Sequence, residues 1–542
     1  MTKFELPLSS RALAIDWPRV VSELRQLRHL RVYYEDYMPW IDMATFSWSL
    51  VPSQLVKLQL CFGLLVPLPG DVVLPHLDSL SLEWIDILVD STKNSGPIPD
   101  LHHSAPQLRE LRLIPRKSES GWTDLHLAFL PSNLTTLVGS FENVRSIEGT
   151  YAWPSALQQL HLKVRFLHEI IAPFMASLPT SLVALTLRPS ASLLSSDLDW
   201  SLSNLPNLAS LGIYAKAVTP DKLSQLPSRI TSLDLCNSYR ANTEALLASL
   251  PNNLVHLRGA SCTLRVLTTP LLPRSLTEFS GTTITPFPLS LLPPGLTRLR
   301  HDGALDPAMQ HLPLTSLYMP FIQRSTADPD WKFLPQKTLT NLCILRITTR
   351  ILKLLPPTLT FLECTEAMDT EDFHLLPPAL LTLKVVGGPP LTKSTLALCP
   401  RTLTSLHINT REIKNPHFFE GAPPGLVYLY LENFFGLRPK MLAPLRNSTS
   451  LAMLVLLLRG VYDTYGAFLT QLPLRLINLQ IGLVCKSMDI SVEELTSLPR
   501  SLASLVIPIS PQHAPDRLSL PLHLHSTALS GTLPRPRWPT VD

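Results

Sequence analysis

The stretch LLPPTLTFLECTEAMDTEDFHLLPPALLTLKVVGG, from Leu354 to Gly388, writes one phrase twice. LLPPTLTFLEC is followed about one repeat period later by LLPPALLTLKV. Each copy opens on leucine and proline and continues with leucines three apart. The same phrase, Leu-Pro-x-x-Leu-x-x-Leu-x-apolar, recurs along nearly the whole chain: VPSQLVKLQL, WPSALQQLHL, LPTSLVALTL, CPRTLTSLHI, APPGLVYLYL, LPRSLASLVI. Tighter variants, one residue shorter after the proline, are LPHLDSLSL and LPNLASLGI. Anchored on the middle leucine, the units run from Leu30 to Leu505, with Phe279 standing in once. They number about 21, with a mean period of about 24 residues.

Each part of the phrase has a physical cause. The final Leu-x-Leu alternates with period two, so Leu58 and Leu60, or Leu429 and Leu431, point to one side of a short strand. Proline lacks an amide donor and drives the residue before it out of helical conformation, so Leu-Pro is a corner that starts an extended run. Short helical turns are expected before the corners. Thr219-Pro220 reads as an N-cap with proline at the first helical position, Asn242 or Thr243 heads NTEALLASL, and Ser491 to Glu494 reads as a capping box. A unit of this size cannot bury enough surface to fold alone, so neighbours must stack and share a strand ladder. Crossovers between parallel strands are right-handed. The expected fold class is α/β, a right-handed solenoid or horseshoe with a parallel sheet on its concave face and short helices or irregular segments outside.

On these residues the chain resembles the leucine-rich-repeat superfamily, most of all the subtypes written around Leu-Pro-x-x-Leu, the FNIP-type and LPX-type repeats. The resemblance implies a non-enzymatic protein-interaction scaffold. It also implies a narrower alternative, a substrate-recognition subunit of a ubiquitin ligase, for which the first 25 residues are too short to hold an F-box. The family's asparagine, three residues after the last leucine of the strand, is mostly missing: Gly63 follows Leu60 there, and Ser190 follows Leu187. The FNIP tetrapeptide is absent as well. Irregular units are therefore expected.

Totals narrow the function classes. Of 542 residues, 45% are hydrophobic and 16% charged, which supplies apolar core and little polar covering. The 52 prolines suit repeated corners, and the 20 glycines are too few for a flexible linker protein. A net charge of +4 is too mild for a nucleic-acid binder, for which a concentrated basic stripe is expected. Seven scattered cysteines without a Cys-x-x-Cys read as buried thiols in a reducing compartment. With no secretory signal, and with the apolar run from Leu451 to Leu458 too short to span a bilayer, a soluble cytoplasmic or nuclear protein is expected, away from membranes.

The expected domains are an N-terminal cap over 1–26 with a short amphipathic helix, a solenoid over 27–510, and a proline-rich tail over 511–542. Three long units carry insertions, YYEDYMPWIDMATFSW, VDSTKNSGPIPDLHHS and QRSTADPDW, which are expected to project as loops. No catalytic constellation, phosphate loop or dinucleotide fingerprint is found, and no cofactor or metal is implied. His102-His103 and the His523/His525 pair lack further ligands, and the carboxylates of Asp369 to Asp372 read as helix-start residues.

The residues between the buried leucines carry what functional signal there is, since alternation sends them to the open face. In the middle units these are His256 and Arg258, Glu278 and Ser280, Arg298 and Arg300, Ser316 and Tyr318, Ile344 and Arg346. Next come Phe361 and Glu363, Thr382 and Lys384, Ser405 and His407, Tyr428 and Tyr430. Earlier units present Ser79, Ser81, Ala184, Thr186, Ser210 and Gly212 instead. The partner-binding candidates are His256, Arg258, Arg298, Arg300, Tyr318, Arg346, Lys384, His407, Tyr428 and Tyr430. This basic and aromatic column points to a protein partner with an acidic surface. Nucleic-acid binding through the column is a lower alternative, interrupted by Glu278 and Glu363, and a small-molecule substrate is not expected.

Overall fold

The computed structural model describes residues 3–8, 27–34, 45–46, 51–61, 64–65, 72–87, 101–115, 130–141, 153–164, 171–189, 202–213, 219–235, 243–260, 272–281, 289–301, 305–319, 330–366, 368, 370–388, 396–410, 417–434, 438–458, 469–483, 497–502 and 504–506. Two compact units divide the chain, the first reaching Leu296 and the second starting at Thr297, apart from Leu6–Ala12 and Pro288–Ser290, which group with the second.

In the first unit the repeat strands are His29–Tyr34, Lys57–Cys61, Ser79–Ile87, Glu110–Pro115, Thr136–Phe141, Gln159–Val164, Ala184–Pro189, Ser210–Ile213, Ser232–Asp234, His256–Ala260 and Glu278–Gly281. Each pairs in parallel with the next, and their middle residues, from Leu30 through Leu137 and Leu185 to Phe279, stand in register. The second unit repeats this with Arg298–Arg300, Ser316–Met319, Asn341–Ile344, Phe361–Cys364, Thr382–Gly388, Ser405–Thr410, Tyr428–Phe434, Met453–Leu458, Asn478–Leu483 and Ser504–Val506. Its middle residues run in register from Leu299 to Leu505. Each unit is thus the expected solenoid built on a parallel sheet. The leucines of the phrase form its spine: Leu134, Leu137, Leu182, Leu185, Leu380 and Leu383 are all fully buried.

The corner is a tight turn. Leu182 N–H donates to the Pro179 carbonyl at 3.1 Å, Leu254 to Pro251 at 3.1 Å, and Leu476 to Pro473 at 3.2 Å. In the tighter variants the bond moves one step earlier, from Leu77 to Leu74 and from Leu208 to Leu205. Two backbone N–H groups of each repeat then reach the same carbonyl of the repeat before: Val183 and Ala184 both donate to Gln158, and Val427 and Tyr428 both donate to Thr404.

Carbonyls at the corner, some buried and some exposed, also find side-chain partners. The residue just before the first leucine supplies them. Ser275 Oγ donates to the Asn252 and Leu254 carbonyls at 2.6 and 2.7 Å, Thr402 Oγ1 to Pro378 and Leu380 at 2.7 and 2.9 Å, and Ser501 Oγ to Leu474 and Leu476 at 3.0 and 2.8 Å. Asn133 and Asn207 reach back to Pro106 and Thr180 in the same way. A second row, two residues after that first leucine's predecessor, adds Thr315, Thr340, Thr360 and Thr404, each hydroxyl donating to a carbonyl of the preceding repeat at 3.1–3.2 Å.

Short helical turns precede the corners, among them Ile171–Ser177, Pro220–Ser224, Thr243–Ala248, Pro307–His311 and Thr349–Leu352. The Thr219 cap is present, its hydroxyl accepting from Lys222 N–H at 3.4 Å. Asp372, in the turn Thr370–Leu375, is buried and accepts a 2.7 Å bond from Thr349 Oγ1 of the neighbouring repeat. The ends of the insertions are built into the fold. Thr45–Phe46 pairs with Leu64–Leu65, which pairs with Asp86–Ile87, a small second sheet. Trp331, expected on a projecting loop, is 2% exposed in a helical turn, because its large apolar ring is worth more inside than out. Apart from the strand Lys3–Leu8, the expected cap over 1–26 with its short helix lies outside the described residues, as do the Ser491 box and the tail from Gln512.

Candidate functional site

Parallel register lines the residues on either side of the middle leucine into two rows on one face of each sheet. In the first unit the outer row ends at Gln159, Ala184, Ser210, Ser232, His256 and Glu278, and the second at His161, Thr186, Gly212, Asp234, Arg258 and Ser280. Two of the candidates are here, and a buried acid claims both. Arg258 Nε donates to Glu278 Oε1 at 2.8 Å, and His256 Nδ1 lies 3.3 Å from Glu278 Oε2. Glu110 plays a similar part near the other end, accepting from Arg112 Nε at 2.7 Å and from Ser79 Oγ at 3.1 Å. Burial pushes its carboxyl pKa up, but these hydrogen bonds and the Arg112 and Lys57 charges together win and hold it below the ordinary value. His161 Nδ1 sits 2.9 Å from Thr186 Oγ1. Burial, with the Arg112 and Arg188 charges, lowers that imidazole's pKa and keeps it neutral.

In the second unit one row reads Arg298, Ser316, Asn341, Phe361, Thr382, Ser405, Tyr428, and the other Arg300, Tyr318, Cys343, Glu363, Lys384, His407, Tyr430. The Arg300 Cζ lies over the Tyr318 ring, 4.7 Å from its centre, and both side chains are half-buried. Its Nε is buried and finds no hydrogen-bond acceptor among the described residues. Lys384 Nζ is 2.6 Å from Glu363 Oε1, with both side chains about four-fifths covered (19% and 20% exposed). His407 packs edge-on against Tyr430 with ring centres 4.1 Å apart, and its Nε2 lies 3.5 Å from Glu432 Oε2. Burial lowers the His407 pKa more than Glu432 raises it, and burial raises the phenol pKa of Tyr428.

Three expectations are corrected here. Ile344 and Arg346 are not on the open face. Leu342 is the residue in register with Leu317 and Leu362, so Asn341 and Cys343 face outward, Ile344 is fully buried, and Arg346 lies beyond the strand. Both Leu339-x-x-Leu342-x-Ile344 and Leu342-x-x-Leu345-x-Ile347 satisfy the phrase, and distance from the corner decides between them. Leu339 N–H bonds to Pro335 with one residue more than usual in the turn, which the corner absorbs. Secondly, His407 and Tyr430 are not open to a partner, being 5% and 2% exposed. Large side chains on strands about 4.8 Å apart cover one another. Thirdly, two members of the basic column are paired with acids of the same face, Arg258 with Glu278 and Lys384 with Glu363.

Cys343, Cys364 and Cys399 are buried thiols, as expected; burial raises the pKa of all three, the latter two to about 12. No cluster of three or more metal-ligating side chains occurs among the described residues. His102 and His103 sit on one helical turn, rings edge-on at 5.4 Å. Among the described residues no helix is long and apolar enough to cross a membrane.

No family model matches the chain, and no curated protein matches it. Solved structures do. A circular leucine-rich-repeat protein, CroV588, is similar over 85% of this chain and 70% of its own, at 18% identity and a TM-score of 0.34. TLR13, solved in a complex with ssRNA13, is similar over 92% of this chain and 77% of its own, at 17% identity and a TM-score of 0.45. An internalin from Listeria monocytogenes is similar over 61% of this chain and 87% of its own, at 18% identity and a TM-score of 0.32. The repeat architecture rests on the strand ladder and its buried leucines.

Proposed function

We propose that this chain, a leucine-rich-repeat solenoid by its ladder, is a recognition module whose second unit binds a protein partner at the patch formed by Arg300, Tyr318 and Phe361. One observation carries the reading: the Arg300 guanidinium sits over the Tyr318 ring, Cζ 4.7 Å from its centre, with both side chains half-buried on the sheet face. The Arg300 side chain as a whole is only half-buried, and a carboxylate from a partner can pair with the part of the guanidinium that stays accessible. The contact with the ring restrains the arginine side chain, so less freedom is lost on binding. Half-buried Phe361 adds an aromatic anchor on the adjacent row, and arginine with aromatics is the composition that dominates interface energetics.

Two of the other basic candidates support this location by exclusion. Arg258 and Lys384 already hold carboxylates, which also weighs against a phosphate-binding stripe, since neutralised cations release no counterions. The test is retention of proteins from cell extract on immobilised chain. Arg300→Glu removes a partner that Arg258→Glu and Arg346→Glu leave bound. Retention of every species by Arg300→Glu contradicts the reading.

A further inference from the structure

The edge of the second sheet where the corners enter the strands carries a feature that the first lacks. Leu381, Thr404, Val427, Ala452 and Ile477 occupy one row, each bonded by its backbone N–H to the carbonyl of the one before at 2.8–2.9 Å. Large and small side chains alternate along it. Leu381, Val427 and Ile477 are 43%, 43% and 44% exposed, and Leu474 beside the row is 64% exposed. Alternate strands lie about 10 Å apart. The row is therefore a series of aliphatic ridges with shallow steps at Thr404 and Ala452 between them.

Charge is one-sided along the same edge. The corners at 377–381, 400–404, 423–427, 448–452, 473–477 and 499–502 contain no carboxylate, while Arg401, Arg475 and Arg500 stand exposed in them. The corresponding row of the first unit is mostly polar or charged (Asp78, Arg109, Thr135, Gln158, Thr231, Thr277), with Ala209, half-buried Val56 and Val255, and Val183 as its well-exposed aliphatic.

We infer that this edge docks an amphipathic helix of a partner protein, lying across the strands, with acidic residues beside its apolar stripe. Side chains seven apart on a helix are separated by ~10.5 Å, which matches the spacing of the steps at Thr404 and Ala452. Ridges of Leu381, Val427 and Ile477 then fill the spaces on the helix, and the three arginines meet its carboxylates. This surface is distinct from the Arg300 patch on the sheet face and does not depend on it.

The probe is a displayed library of helix-forming peptides selected on the full chain. The expected winners carry apolar residues seven apart flanked by Asp or Glu. Their affinity falls about tenfold or more with Val427→Glu and with Arg475→Glu and is unchanged by Arg300→Glu. Arg475 is at an exposed turn position, so it keeps the test open should Val427→Glu fail to fold. Winners without that spacing or charge, or binding indifferent to Arg475→Glu, overturn the inference. So does co-sedimentation of the chain with phosphatidylserine vesicles that Arg475→Glu abolishes, which would make the occupant a lipid surface.

Discussion

Four consecutive strands in each unit carry the same lesson in opposite forms. In the first unit the second-row residues Arg112, Val138, His161 and Thr186 all remain half-buried. In the second unit the equivalent His407, Tyr430, Val455 and Gln480 are buried, Val455 completely. The backbone places both sets identically, in parallel register on the sheet face. The rows beside them differ. Beside the first set Glu110 and Gln159 alternate with the small Thr136 and Ala184, whereas beside the second Tyr428 and Met453 stand together between Ser405 and Asn478, with Leu457 beyond. Direction on a solenoid face comes from alternation; accessibility comes from the size of the neighbours.

Breaking the crowded side should cost most. Tyr430→Ala removes a ring that is 2% exposed and should destabilise by about 4 kcal/mol, against about 1 kcal/mol or less for Thr186→Ala. Chemical denaturation of the two variants checks this, and equal losses would remove the contrast. Glycines sharpen it. A Cβ at Gly421 would stand 2.6 Å from both Cβ and backbone N of Ala397, whereas the three atoms nearest to one at Gly212 all belong to the Thr186 side chain, from 2.9 Å. Gly421→Ala should therefore cost about 3 kcal/mol and resist repair, while the smaller loss in Gly212→Ala is relieved by Thr186→Ser.

A smaller effect is expected at the corners. Thr402→Val strips two carbonyls of their shared hydroxyl and should cost about 1 kcal/mol, as should Ser275→Ala in the first unit. This ladder is common to both units, so unequal losses would show that the corners are not equivalent. The least effect is acid-dependent. His407 is held neutral by burial, while the unfolded chain protonates it below about pH 6.5. The folded state binds fewer protons in that window, so stability is full above it and declines as pH falls through it. His407→Gln should flatten the decline in denaturation midpoints measured across this range.

Much of the fold is legible in the leucines. Their three-and-two spacing gives strand, register and core, and Leu-Pro marks each corner because proline can do little else there. The polar residue between that proline and the next leucine, as in LPRSL and CPRTL, was also visible as a signal for the corner ladder, but a hydroxyl in a turn reads as ordinary surface until its carbonyls are located. The Leu342 strand shows where periodicity fails: two phases of the phrase overlap, and one extra corner residue chooses between them. The candidate site was only half legible. Arg300 and Tyr318 lie where alternation puts them, but the pairing of Arg258 and Lys384 with Glu278 and Glu363, and the covering of His407 and Tyr430, depend on neighbours some twenty residues away in sequence.

Photo-cross-linking tests the recognition surface most directly. A benzophenone side chain placed in turn at Tyr318, Phe361, Arg346 and Ser210 of the full chain is irradiated in cell extract. One common protein adduct from Tyr318 and Phe361, with none from Arg346 or Ser210, is the predicted result. Adducts from Ser210 or Arg346 with none from Tyr318 would contradict it.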